Sequence, residues 1–207
     1  MKNKYFNLKN QSGCKLFIKK IMIGKDYFLA FEKAVFGMIS HSSFMWLNAL
    51  YSLFLGTARR LCLLNLNASE KEQYQVYVKV SFLLIVASLF YGGYNFILFI
   101  SGKKIIYHPY LAIGIAAFTF FELGFNIVQL LQSKKEETPI IKAITYINFS
   151  SICTLLVLTQ VVLTSLYAEE DVTVGNSMAV ILFGGMIFIL GIKMFINRKK
   201  LKIEVEK

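Results

Sequence analysis

The chain has 207 residues, of which 56% are apolar and 15% aromatic while only 17% are charged. Soluble domains average about 45–50% apolar and about 25% charged, so this excess cannot be hidden in one small core; a collagen, a disordered tail and a disulfide scaffold are excluded. The net charge of +11 comes from 23 basic and 12 acidic residues, and basic helix ends in a membrane protein account for it better than nucleic acid does.

The first element is the most charged. A helix is expected over about 17–39, where Lys19, Lys25, Asp26, Glu32 and Lys33 fall in one polar sector about 140° wide. Charges at that depth are costly in lipid unless they face protein or pair with one another. The alternative is an amphipathic helix lying in the interface, which would leave five crossings. Asp26 stands seven residues from both Lys19 and Lys33, on their face but at a stretch for direct pairing. The turn Ser40-His41-Ser42-Ser43 then leads into a second helix over about 44–64, which carries Arg59 and Arg60 near its end.

The next four helices are announced by their ends. Ser69-Glu70-Lys71-Glu72 forms a capping box that opens a helix over 70–101. The fourth helix, about 106–132, has Pro109 in its first turn, and the fifth, 139–167, begins at Thr138-Pro139. The sixth runs over about 176–197. Each is long enough to cross roughly 30 Å of hydrocarbon at about 1.5 Å per residue. Tyr74, Tyr77, Tyr107, Tyr110, Tyr146 and Tyr167 fall near helix ends, as an interfacial aromatic belt would.

Together these elements predict an all-α polytopic transmembrane bundle of six helices, a single domain over 17–197. Basic tails flank it at 1–16 and 198–207. Because both ends are basic, the positive-inside rule places both termini in the cytoplasm and requires an even number of crossings. Arg59, Arg60, Lys134, Lys135 and Lys142 then face the cytoplasm, with Glu169, Glu170 and Asp171 outside; only Lys103 and Lys104 disagree. The location implied is a cell membrane with both termini on its cytoplasmic side.

Polar residues inside the spans are the candidate functional groups. On the fourth helix His108, Ala112, Thr119, Glu122, Asn126 and Gln129 share a sector about 100° wide, interrupted by Ile115. Glu122 stands near mid-span, where a carboxylate is expensive and functional by default. The third helix offers a similar face with Tyr77, Ser81, Ser88, Tyr91 and Asn95, and the fifth offers Thr145, Asn148, Ser151 and Thr159. Ser177, Gly184 and Gly191 recur every seven residues on the sixth helix and read as a packing groove. Two readings follow. The stripes are helix–helix glue, or Glu122, Asn126, Asn95, Asn148 and Thr119 converge on a polar path.

Catalytic signatures are missing: there is no HExxH, no GxSxG, no Gly-rich phosphate loop and no Cys/His metal spacing. Cys14, Cys62 and Cys153 are widely spaced and read as free thiols. The expectation is a protein without enzymatic activity, metal or cofactor. Its partners are the lipid bilayer and another membrane protein or a second copy of itself.

Ala49, Tyr51, Leu55 and Arg59 carry a resemblance on the second helix, as do Ala116, Phe118, Thr119, Phe120, Ile127 and Leu130 on the fourth. Pro139, Asn148, Leu156 and Gln160 extend it along the fifth. In these residues the chain resembles a family of multi-pass membrane proteins from low-GC Gram-positive bacteria that has no assigned activity. The resemblance implies architecture and transfers no catalytic residue. The functions that remain are a small ion or solute transporter or channel-like protein, or a regulator, sensor or scaffold acting through helix packing.

Overall fold

A computed structural model describes residues 24–101, 105–133, 138–167 and 173–205. Lys19, Lys20, Cys14, the Lys103-Lys104 pair, residues 134–137 and the acidic turn 169–171 lie outside the described residues. Every regular element described is a helix. Helix α1 covers 24–40, and the others are α2 (Ser43–Leu64), α3 (Glu70–Ser101), α4 (Pro109–Ser133), α5 (Pro139–Tyr167) and α6 (Thr173–Val205).

The helix ends follow from local chemistry. His41 takes a left-handed φ of 48° between α1 and α2, and Ser42 Oγ accepts from the Met45 amide to cap α2. At α3 the Ser69 amide donates to Glu72 Oε2 at 3.0 Å while the Glu72 amide donates back to Ser69 Oγ at 3.4 Å, the reciprocal capping box. Helix α4 starts at Pro109 rather than at 106, because a residue before proline is pushed out of the helical region. Helix α6 begins at Thr173 and continues to Val205, through the stretch expected to be a basic tail. Lys and Arg are good helix formers, so a basic stretch is compatible with a continuing helix.

Helix α5 lies centrally and touches α2, α3, α4 and α6, while α3 packs along α6. Its near-absence from the exposed surface contrasts with the outer helices, which turn apolar side chains outward: Phe82, Phe90 and Ile97 on α3, Phe120, Phe121 and Val128 on α4, Ile181, Leu182 and Ile189 on α6. Meanwhile Asp26, Lys33, Arg59, Glu122 and Asn148 are buried. Polar inside and apolar outside is the distribution a bilayer imposes. Among the described residues four helices, α3 to α6, contain stretches of 28, 23, 28 and 21 residues long and apolar enough to cross a membrane. The chain is a helical membrane protein.

Helix α1 packs antiparallel to both α2 and α4. Along α2, Lys33 meets Ser52, and Gly56 meets Asp26. Along α4, Phe36 meets Phe118, Lys33 meets Glu122, and Lys25 meets Phe125. Its charged face therefore turns into the bundle, and Phe28, Phe31, Met38 and Ile39 face outward. A helix lying in the interface would do the reverse. The turn between α1 and α2 is tied to the start of α4 by Ser42 Oγ and Tyr107 Oη, 3.0 Å apart. Burial pushes the Tyr107 phenol up to about 12, with the Ser42 hydrogen bond acting in the opposite direction.

Candidate functional site

The α4 stripe faces inward as its periodicity requires: Ala112, Ile115, Thr119, Glu122, Asn126 and Gln129 are all buried, while His108 is exposed. What lies opposite Glu122 is not Asn95. Lys33 Nζ donates to Glu122 Oε2 at 2.6 Å and to Ser52 Oγ at 3.0 Å. The two side chains are 5% and 7% exposed, so this ion pair is screened from solvent by protein.

A second pair lies beside it. Arg59 Nη1 donates to Asp26 Oδ1, and Nη2 donates to Asn148 Oδ1 at 2.8 Å and to Asn126 Oδ1 at 3.2 Å. A planar guanidinium spreads its donors over a fork, so Nη1 and Nη2 reach acceptors on three helices, whereas the three donors of an ammonium all radiate from one atom. Asn126 completes the arrangement by donating from Nδ2 to the Glu122 carbonyl at 2.9 Å. Lys25 Nζ lies 3.5 Å from Asp26 Oδ1 and 3.9 Å from the Phe125 ring centre, a cation–π contact. Gly56 lets Asp26 approach α2 closely: a Cβ there would stand 3.2 Å from Asp26 Cβ and push the contact apart by a few tenths of an ångström.

Of the residues assigned to a polar path, Glu122, Asn126 and Asn148 come together. Asn95 does not join them; its Nδ2 donates to the Tyr91 carbonyl on its own helix at 2.6 Å. Thr119 lies one turn from Glu122 and donates to the Ile115 carbonyl at 2.7 Å. Arg59, expected to face the cytoplasm, is buried at the centre of the network, whereas Arg60 beside it is exposed. The correction has a physical cause: Asp26, Asn126 and Asn148 supply the acceptors that a buried guanidinium needs. Lys33, Arg59, Asp26 and Ser52 are the site residues that sequence reasoning missed. Opposite charges in neighbouring apolar helices must pair, and that was the available signal.

The cavity lined by Asp26, Ser52, Gly56, Arg59, Glu122 and Ser151 leaves room of about 10 Å³ for the centre of a water-sized body. Among the described residues, no three His, Cys, Asp or Glu side chains lie close enough to hold a metal ion. Both carboxylates accept from cations, so the arrangement is chemically a clamp: it joins α1 to α2, α4 and α5. No family model matches the chain, and no curated protein matches it.

Proposed function

We propose that this membrane protein works through helix packing, as a regulator, sensor or scaffold within a membrane assembly, and that solute transport is not its role. One observation carries the reading: the polar face around Glu122 is spent on an ion pair to Lys33 of α1 and a hydrogen bond from Arg59 of α2 to Asn126, with about 10 Å³ of free room beside them. A solute path would need continuous polar space across roughly 30 Å of hydrocarbon. The same pairs explain how a helix as charged as α1 is retained, since buried charges are tolerated where they are matched. Its basic ends suit anionic lipid or an acidic partner surface.

Flux measurements on the purified chain in liposomes test this. Proton, sodium and potassium fluxes are expected to equal those of empty vesicles, with Glu122→Gln making no difference. A flux above that background, reduced by Glu122→Gln, would restore the transport reading.

A further inference from the structure

The small space beside the ion pairs has a chemistry of its own. Two buried polar atoms of side chains on its wall have no hydrogen-bond partner: Asp26 Oδ2, an acceptor, and Arg59 Nε, a donor. Their side chains are 8% and 3% exposed, so bulk water does not serve them. Arg59 and Asp26 meet at a single point, Nη1 to Oδ1, which leaves the second edge of each group open. Ser52, Ser151 and Glu122 complete the polar wall. A space of about 10 Å³ holds one body the size of a water molecule.

Charge narrows what that body is. Lys25, Lys33 and Arg59 already match Asp26, Glu122 and the nearby Glu32, so a further cation finds no unmatched carboxylate. Chloride is larger than water and would face two carboxylates. A neutral molecule that both donates and accepts fits the open groups.

We infer that this is a binding site for one water molecule, which accepts from Arg59 Nε and donates to Asp26 Oδ2. Its second proton goes to Glu122, and its second lone pair accepts from the hydroxyl of Ser52 or of Ser151. The water thereby joins the Asp26–Arg59 and Lys33–Glu122 pairs into one network. It satisfies two groups that would otherwise carry the full cost of burial. The inference is independent of the proposed function, since such a water fits a transporter equally well.

A crystal structure of the full chain that resolves ordered waters is the direct test. One peak is expected about 2.7–3.2 Å from both Asp26 Oδ2 and Arg59 Nε. Oxygen-17 relaxation dispersion on the same protein in micelles gives a second readout. Ser151→Val, whose methyl groups occupy the space, should retain one fewer long-lived internal water than wild type. If that variant fails to fold, Ser52→Val serves the same comparison. An empty site overturns the inference. So does a peak coordinated by oxygens alone that follows sodium in the buffer, a peak replaced by bromide, or an unchanged count of waters in the folded variant.

Discussion

Glu122→Leu should be among the most damaging single changes in this protein, and the reason is Lys33 rather than Glu122. The Lys33 ammonium is 5% exposed and has two partners, Glu122 Oε2 and Ser52 Oγ. Removing one member of a buried ion pair costs about 3–5 kcal/mol, because the other charge remains buried. Ser52 still accepts one hydrogen bond, which argues for the lower end, about 3 kcal/mol. At about 2–4 °C per kcal/mol for a chain of this size, the melting temperature falls by roughly 6–12 °C. Glu122→Gln keeps a hydrogen bond but loses the charge, so it should lie close to Leu and well beyond the average of about 0.6 kcal/mol for an interhelical polar contact. The double variant Lys33→Met/Glu122→Leu removes both charges and should cost only about 1 kcal/mol, since an apolar replacement of a buried pair is often near neutral. Reversible unfolding in bicelles, followed by circular dichroism, measures these variants beside wild type and the single variant Lys33→Met, which completes the cycle. Single variants near 0.6 kcal/mol, or a double variant as costly as the sum of the singles, would refute the pairing.

Arg59→Lys keeps the charge but cannot reach Asp26, Asn126 and Asn148 together, so a loss of about 1–3 kcal/mol in the same unfolding assay is expected. Gly191→Ala should destabilise the α3–α6 crossing by about 1–3 kcal/mol, because its Cβ would lie 2.8 Å from Ile85 Cγ1 and 3.2 Å from the Ile85 amide nitrogen. Gly185→Ala, with nothing within 4 Å of the added carbon, is the control and should melt no lower than wild type. For topology, reporters fused at Ser42 and at Lys207 should read outside and inside, respectively. A cytoplasmic signal at Ser42 would leave five crossings.

The strongest local signals located elements well. The capping box at Ser69–Glu72 and the first-turn prolines Pro109 and Pro139 mark where α3, α4 and α5 begin. They did so because caps and prolines act through the chain's own nearest residues. The inward face of α4 was equally legible, since its period is fixed by helix geometry. Partner choice was not. Glu122 and Lys33 are 89 residues apart and Arg59 and Asn148 also 89, separations that no local pattern encodes. Asn95 shows the opposite error. A polar residue on an inward face suggests a shared site, yet a short amide can satisfy itself on the carbonyl of the preceding turn. The far end of α6 was hidden by its charge, which reads as a tail although it is compatible with a helix.

The charges that made α1 hardest to read also explain why it lies where it does. Lys25, Asp26, Glu32 and Lys33 occupy a described helix of 24–40. Placed alone at the centre of a bilayer, such residues each cost about 2.5–3.5 kcal/mol, so four of them set roughly 10 kcal/mol against independent insertion, more than apolar residues at about 0.3–0.6 kcal/mol each return. Lipid therefore does not hold this helix; matched charges on α2 and α4 do. That dependence sets register as well as position. A hydrophobic face can slide by a turn with modest loss, but Lys33 and Asp26 must meet Glu122 and Arg59 together, with Asp26 approaching α2 most closely at Gly56. Loss of either ion pair thus weakens the hold on the whole helix, from Phe36 against Phe118 at one end to Lys25 over Phe125 at the other. A helix retained by matched charge rather than by greasiness can be released by a small change in that match. This is the property a packing-based membrane regulator requires.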